Sequence, residues 1–180
     1  AYGKLTGRPA ALMVTRGPGA SNAAIGIHTA QQDSTPLVVF VGQVGNDFLG
    51  REAFQEIDYR RMYGSIAKWV TQIDRTERIP ELVAHAFQVA TSGRMGPVVV
   101  ALPEDTLSGT ATVADSAPFQ PVQAHPSAAQ LEALRELLAA ATRPLVLVGG
   151  SGWTPAACEA LRQFAETNAL PVACSFRRQD

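Results

Sequence analysis

The feature that most constrains this chain is a pair of apolar runs separated by a glycine-rich turn and a helix. The runs are Leu12-Met13-Val14 and 37–41, and Gly17-Pro18-Gly19 opens the segment between them. A strand, a helix and a strand within about thirty residues form a βαβ unit, which makes the two strands parallel. Continuous apolar runs are typical of strands buried on both faces, and small residues at 20–30 predict a well-buried helix. In such sheets ligands bind beyond the carboxyl ends of the strands, where this turn lies.

The rest of the chain repeats the alternation of strands and helices. We predict a short helix at 59–63, a strand at 67–73, an amphipathic helix from Pro80 and a buried strand at 98–102. Proline, serine and threonine then become frequent, which indicates a linker. A second pattern follows, with a helix capped by Ser127, a strand at 144–148, a helix from Pro155 and a strand at 170–174. The predicted fold class is therefore α/β, a doubly wound parallel sheet followed by the start of a second α/β domain.

Composition narrows the class of protein further. The net charge is -1, which does not indicate a polyanion-binding surface, and the basic pairs at 60–61 and 177–178 are too short to indicate nucleic acid. Hydrophobic residues make up 46% and charged residues 17%, which suits a buried core or large interfaces. Cys158 and Cys174 have no metal-site spacing, and we expect both to be small core residues. No apolar run is long enough for a membrane span and no signal segment is present, so we expect a cytoplasmic protein.

The two ends of the chain suggest a piece of a longer protein. It begins without methionine, and Gly7 and Pro9 end a helix that almost nothing precedes. It stops at Asp180 after one βαβ-like unit of the second domain, and two strands do not close an independent core. We therefore expect missing residues on both sides.

Five blocks of sequence together resemble one enzyme family. They occur in order as Thr15-Arg16-Gly17-Pro18-Gly19-Ala20-Ser21-Asn22, Asp33-Ser34-Thr35-Pro36-Leu37-Val38, Gly42-Gln43-Val44, Ala53-Phe54-Gln55-Glu56 and Ser92-Gly93-Arg94-Met95-Gly96-Pro97-Val98. Their order and spacing are similar to those of the thiamine diphosphate enzymes of the acetolactate synthase type. The resemblance implies the rear part of a flavodoxin-like pyrimidine-binding domain at 1–105, a linker at 106–126 and the start of the central domain at 127–180.

The resemblance also implies roles at the cofactor. In the family the Gly-Pro-Gly turn lines the aminopyrimidine ring, which places Pro18 and Asn22 as cofactor-binding residues. The Phe-Gln-Glu block reaches the cofactor and the substrate, which makes Gln55 both cofactor-binding and catalytic and Phe54 catalytic. We expect thiamine diphosphate with magnesium, and we expect the residues that bind the diphosphate and the metal to lie outside these 180 residues. The resemblance assigns no metal ligand here.

Some members of the family also bind a flavin, and the corresponding residues here are Ser34, Arg94 and the turn Gly150, Ser151 and Gly152. FAD is therefore a possible cofactor, with these residues meeting in one cleft between the two domains. Met95 and Ser151 depart from the family, which usually has proline and glycine at these positions. That departure leaves a flavin-free relative as an alternative.

Simpler structural roles compete with these assignments. Asn22 could face a neighbouring helix, Ser34 could satisfy a turn amide, and Arg94 could be a solvated residue after a helix. We interpret His28 as a core or interface histidine, because it lies within an apolar helix. Lys68 fits either a position near the site entrance or an exposed strand.

The function implied is decarboxylation of a 2-oxo acid such as pyruvate, followed by carboligation, in a homodimer or homotetramer. One alternative is a thiamine diphosphate-dependent lyase or decarboxylase with a different acceptor. Another is that the 180 residues alone are an inert fragment, since the family's catalytic glutamate is expected just before Ala1. The sequence does not identify the acceptor.

Overall fold

Parallel strands form the sheet that the βαβ pattern predicts. The computed structural model describes residues 1–176 and divides the chain into two units, Ala1–Gln123 and a second that begins at Ala124. The strands of the first unit are β1 Ala10–Val14, β2 Leu37–Gln43, β3 Trp69–Gln72 and β4 Pro97–Pro103, in the spatial order β1-β2-β4-β3. The helices are α1 Tyr2–Thr6, α2 Gly17–Gln32, α3 Tyr59–Tyr63, α4 Ile79–Thr91 and α5 Glu104–Ser108, with 3-10 turns at Asn46–Phe48 and Thr76–Arg78. The predicted α/β class with a parallel sheet is confirmed.

The register fixes which residues of neighbouring strands share a face. Val39 of β2 lies between Leu12 of β1 and Val99 of β4, and Phe40 lies between Met13 and Val100. Side chains alternate between the two faces of a strand, so each strand contributes to two cores.

Each face of the sheet has its own core. On one face α2 and α3 cover β2 and β4, and the cluster includes Ile27, Tyr63 and Val99, all fully buried. On the other face α4 packs against the alternate strand residues, including Val38 and Val100. Helices on both faces of a parallel sheet make this the doubly wound arrangement that the sequence predicts.

Strand β1 and helix α2 are less buried than predicted. Leu12 is 40% exposed, Met13 is 76% exposed, and Ile25 on the outer face of α2 is 79% exposed. The prediction of full burial is wrong because β1 is an edge strand of the described sheet, and the cluster beneath α4 contains no residue of β1. Only one stripe of α2 contacts the sheet, which leaves its other side uncovered.

The second unit contains α6 Ala128–Ala140, β5 Val146–Val148, α7 Pro155–Thr167 and β6 Val172–Cys174, with the two strands parallel. Ser127 caps α6 as predicted: its side chain accepts from the Gln130 N–H, and the Gln130 side chain accepts from the Ser127 N–H. Cys158 and Cys174 are both exposed, so the prediction that they lie in a core is wrong. The described part of this unit buries one apolar residue, Ala165, and therefore has little core in which a cysteine could lie.

The segment between the units has no helix or strand after Ser108, the last residue of α5. Within the predicted linker, the Phe119 ring stacks on Phe87 of α4, with ring centroids 5.5 Å apart, so this part of the linker packs within the first unit. The basic pair at 177–178 lies outside the described residues. Among those described, no helix combines the length and apolar character that a membrane span requires.

Candidate functional site

The turn after β1 is held by a backbone contact with a distant loop. The Gly17 N–H donates to the Gln55 carbonyl at 3.0 Å. A Cβ at Gly17 would lie 3.1 Å from that carbonyl oxygen, and a Cβ at Gly19 would lie 2.9 Å from Thr15 Cγ2. The two glycines are therefore required by close packing, and Pro18 between them is exposed. The contact brings two of the predicted site segments together.

A carboxylate shapes the loop that contains Phe54 and Gln55. Glu56 accepts hydrogen bonds from the Gly50 N–H at 2.6 Å and the Ala53 N–H at 3.0 Å. These backbone hydrogen bonds lower the pKa of Glu56, because they stabilise the ionised carboxylate. The closed loop leaves Phe54 77% exposed and places Gln55 at a φ of 65°. Phe54 is thus presented to the surface by a loop that a charged side chain holds together.

The side chain of Gln43, at the end of β2, hydrogen-bonds to the residue that follows the same loop. Its amide nitrogen donates to the Ile57 carbonyl at 2.8 Å, and its amide oxygen accepts from the Val44 N–H at 3.0 Å. The side chain is buried, since the residue is 2% exposed. The sequence motif gives Gln43 no role, although a polar amide at the end of a continuous apolar strand is a signal for one.

A cavity of about 450 Å³ lies at this edge of the sheet, between the strand ends and the loop. Its lining is mixed, with polar residues such as Gln43, Glu56 and Asp74 beside apolar ones such as Leu49 and Ile57. Concave sites at the carboxyl edge of a parallel sheet are where open α/β folds bind small molecules. The arrangement can hold a small ligand beside the loop that Glu56 closes.

The predicted flavin residues of the first unit lie at the amino ends of the strands, opposite the carboxyl ends where the cavity lies. Arg94 Nε donates to the Ser34 hydroxyl at 2.8 Å, and Arg94 Nη2 donates to the Gln31 carbonyl at 3.1 Å. Ser34 is 6% exposed and precedes β2, whereas Arg94 is exposed and precedes β4. The structure therefore brings Ser34 and Arg94 together and separates them from Pro18 and Gln55. The Ser34 hydroxyl accepts from a guanidinium, a bond that the turn-amide alternative does not include.

The glycine-rich turn of the second unit has the backbone that its sequence predicts. Gly150 and Gly152 have φ values of 79° and 88°, a region that favours glycine, and Ser151 between them is exposed. The Trp153 indole N–H donates to the Gly149 carbonyl at 2.9 Å and closes the turn before α7. Whether this turn shares a cleft with Ser34 and Arg94 stays a prediction.

Three residues with alternative interpretations have defined surroundings. Asn22 is exposed on α2, and His28 is also exposed, so His28 is not a core histidine, while its place at an interface stays a prediction. The helix buries only the stripe that faces the sheet, and His28 lies off that stripe. The Lys68 ammonium donates to the carbonyls of Val89 and Ser92, so it caps the end of α4.

The comparisons identify the family. Residues 1–62 match the N-terminal TPP binding domain of the thiamine pyrophosphate enzymes, and residues 131–180 match their central domain. The two matches together cover more than half of the chain. The chain belongs to the thiamine pyrophosphate enzymes. Thiamine pyrophosphate is another name for thiamine diphosphate, so the resemblance found in the sequence is confirmed.

Relatives of this thiamine pyrophosphate enzyme chain include acetolactate synthases. It is 37% identical to the acetolactate synthase large subunit of Mycobacterium tuberculosis over 179 residues, which cover 97% of this chain and 29% of that protein. It is 38% identical to the large subunit of acetolactate synthase isozyme 3 of Escherichia coli, over 96% of this chain and 31% of that protein. The chain thus spans about a third of the length of these relatives.

A solved structure has the same fold. It comes from Mycobacterium smegmatis and is described as a thiamin diphosphate-dependent enzyme; the TM-score is 0.78 at 25% sequence identity. The match covers 98% of this chain and 34% of that protein. Among residues 1–176 of this chain, no group of three or more histidine, cysteine or acidic side chains could hold a metal ion.

Proposed function

We propose that the protein containing this chain is an acetolactate synthase-like enzyme that decarboxylates pyruvate and joins the product to a second 2-oxo acid. The observation that supports this most is the hydrogen bond from Gly17 to Gln55, which joins two site segments of the family motif. The identity of 37% to acetolactate synthase large subunits over 97% of the chain supports the reaction class. When bound, thiamine diphosphate supplies the electron sink that decarboxylation of a 2-oxo acid requires.

The residues of the Gly17 turn fit the aminopyrimidine ring of that cofactor. Gly17 and Gly19 let the turn pack closely against Gln55 and Thr15, and this packing fixes the backbone beside which the ring would lie. Pro18 presents an exposed apolar surface beside them. Asn22, one turn into α2, supplies an exposed amide that can donate to and accept from a ring edge.

Gln55 and Phe54 are the catalytic residues of this proposal. The Gln55 amide can donate a hydrogen bond to a carbonyl or carboxylate oxygen of the substrate, and its oxygen can accept a hydrogen bond from an N–H of the cofactor. The exposed Phe54 ring provides an apolar wall that excludes water from the reacting carbon. The Glu56 hydrogen bonds to Gly50 and Ala53 keep this pair in position.

FAD and magnesium are also part of the proposal. Ser34, Arg94, Gly150, Ser151 and Gly152 are the candidate FAD contacts, and magnesium accompanies the diphosphate without a ligand assigned in this chain. We further propose a homodimer or homotetramer located in the cytoplasm. That the 180 residues alone form no acetolactate stays a prediction.

The test of the proposed function uses the full-length protein that contains this chain. With pyruvate, thiamine diphosphate and magnesium, the wild type is expected to form acetolactate. Gln55→Gly removes the amide while accepting the positive φ of this position, so its effect reports the side chain rather than backbone strain. We expect kcat/KM for Gln55→Gly and for Phe54→Ala to fall at least about tenfold, equivalent to about 1.4 kcal/mol.

The matched control is Phe48→Ala, because Phe48 is also an exposed phenylalanine, at 59%, in the neighbouring 3-10 turn. We expect this variant to keep wild-type kinetics. Wild-type protein that consumes pyruvate without forming acetolactate would favour the alternative lyase or decarboxylase. Equal losses in Phe48→Ala and Phe54→Ala would contradict the assigned role of Phe54.

A further inference from the structure

Arg16 places a positive charge at the start of α2, where a cation does not stabilise the helix. It is the N-cap residue of α2, its side chain forms no capping hydrogen bond, and the first turn of α2 contains no acidic residue. Helix N-caps favour serine, threonine, aspartate and asparagine, and the positive end of the helix dipole disfavours a nearby cation. Arginine here costs helix stability, so the charge at this place needs another explanation.

The Arg16 side chain crosses the carboxyl edge of the sheet. It starts at the end of β1, and its Cγ lies 3.6 Å from where a Cβ of Gly42 would be, at the end of β2. Its Nη1 ends 3.3 Å from the Glu104 carboxylate, which follows β4. The guanidinium therefore lies above the strand ends, next to the turn whose Gly17 N–H bonds to Gln55.

The ion pair with Glu104 leaves most of the Arg16 binding capacity unused. Strong charge-assisted hydrogen bonds are about 2.7–2.9 Å long, shorter than the 3.3 Å found here. A guanidinium has five N–H donors, and among residues 1–176 the ion pair that Arg16 forms is with Glu104. Its charge also acts on Tyr59, where burial raises the pKa of the hydroxyl and the Arg16 charge opposes that rise. Glu104 is 67% exposed at its side chain, so solvent screens the pair, whereas the Arg16 side chain is only 24% exposed.

We propose that Arg16 binds the carboxylate of the incoming 2-oxo acid, and that Glu104 is the anion which occupies the guanidinium until substrate arrives. The planar fork of arginine matches a carboxylate, and substrate would offer two oxygens where Glu104 offers one. A half-buried cation beside the Gly17 turn also selects for anionic substrates. This inference rests on the proposed function, because it assigns a substrate carboxylate to the same site.

The test measures KM and kcat for pyruvate in the full-length protein. Arg16→Gln is expected to raise KM about tenfold with little change in kcat. A tenfold rise in KM equals a loss of about 1.4 kcal/mol of binding free energy. Arg16→Lys keeps the charge without the fork, so its KM is expected between those of the wild type and Arg16→Gln. Glu104→Gln removes the competing anion, and its KM is expected to fall below the wild-type value.

The controls are Arg78→Gln and Glu81→Gln, an exposed arginine–glutamate pair at 2.7 Å near the start of α4, and neither is expected to change KM. An unchanged KM in Arg16→Gln overturns the proposal. So does a KM that rises in Glu104→Gln as much as in Arg16→Gln, since the pair would then only shape the site. A higher dissociation constant for thiamine diphosphate in Arg16→Gln than in the wild type, measured by fluorescence, also overturns it.

A wild-type protein that forms no acetolactate rejects the proposed function instead. The carboxylate site is then tested by saturation-transfer NMR of pyruvate, without cofactor. Loss of the pyruvate signal in Arg16→Gln but not in Arg78→Gln supports the site, and equal signals in both variants overturn it.

Discussion

The buried hydroxyl of Tyr63 makes the stability of the first unit depend on pH. The residue is fully buried, and its hydroxyl donates to the Ala20 carbonyl of α2. Burial and, to a smaller extent, the neighbouring Tyr59 together raise the pKa of Tyr63 to about 12. Since the pKa in the folded state lies above the ordinary value of 10.0, the folded state keeps the proton longer than the unfolded state. This stabilisation is complete below pH 10 and is lost as pH rises towards 12.

Tyr63→Phe is therefore expected to have two effects on the free energy of unfolding. At pH 7 it falls by about 1 kcal/mol, because the hydrogen bond to Ala20 is removed. Between pH 10 and about 12 the variant loses less stability than the wild type, because one raised tyrosine pKa is gone. Urea unfolding at a series of pH values measures both effects. Tyr2→Phe, at a residue 51% exposed, is the control, and identical pH dependence in Tyr63→Phe and wild type would contradict the argument.

Some features of single residues could not be read from the sequence. Gln55 has a positive φ that its residue type does not indicate. The hydrogen bonds to its carbonyl and to the Glu56 carboxylate come from backbone N–H groups, so the identities of the donor residues do not reveal them. Arg16 and Glu104 lie far apart in the chain, so only the sheet order brings them together. The motif placed the Gly17 turn and the Gln55 loop in one candidate site, and the structure joins them by a backbone hydrogen bond that the motif does not specify.

At the scale of elements, the central strands were predicted better than the edge. Strands β2 and β4 are nearly continuous buried runs, as their composition indicates. Strand β1 has the same apolar composition, yet Met13 is exposed, because burial depends on what covers a strand and not on its own residues. Local patterns thus predicted the existence and type of these elements, whereas their neighbours determined their exposure.

The candidate flavin residues Ser34 and Arg94 lie just before the amino ends of β2 and β4, and they allow a prediction about Arg94. Its guanidinium already bonds to Ser34 and Gln31, so it is held in place before any ligand binds. If the full-length protein binds FAD there, Arg94→Ala weakens FAD binding about tenfold, or about 1.4 kcal/mol. A fluorescence titration measures the dissociation constant. Arg135→Ala, at an exposed arginine paired with Glu132 in the second unit, is the control.

The result of that titration also separates two classes of enzyme. Wild-type protein that takes up no FAD would favour the flavin-free lyase or decarboxylase, which the departures at Met95 and Ser151 leave open. Equal FAD affinity in Arg94→Ala and Arg135→Ala would leave Arg94 with the structural role of joining the loops before β2 and β4.

At the scale of the whole molecule, the 180-residue chain exposes an unusual amount of apolar surface. In the first unit it includes Met13 at the edge strand and Ile25 on the outer face of α2. In the second unit the large exposed apolar residues include Leu131, Leu134, Leu137, Leu145 and Leu147. Monomeric proteins rarely expose contiguous apolar patches beyond a few hundred Å², and an edge strand also offers unpaired backbone groups. The fold thus leaves surfaces that favour association.

We accordingly expect the 180-residue chain to self-associate, so that light scattering gives a mass well above 19.1 kDa. The double variant Met13→Lys and Ile25→Glu places charges at β1 and α2, and we expect it to shift the mass towards the monomer. Val122→Glu is the control, because it also replaces an exposed apolar residue, 60% exposed, with a charge but lies outside every helix and strand. A monodisperse 19.1 kDa species at high concentration would refute the expectation. An equal shift in the control would mean that replacing any exposed apolar residue with a charged one, rather than the surface at β1 and α2 in particular, governs association.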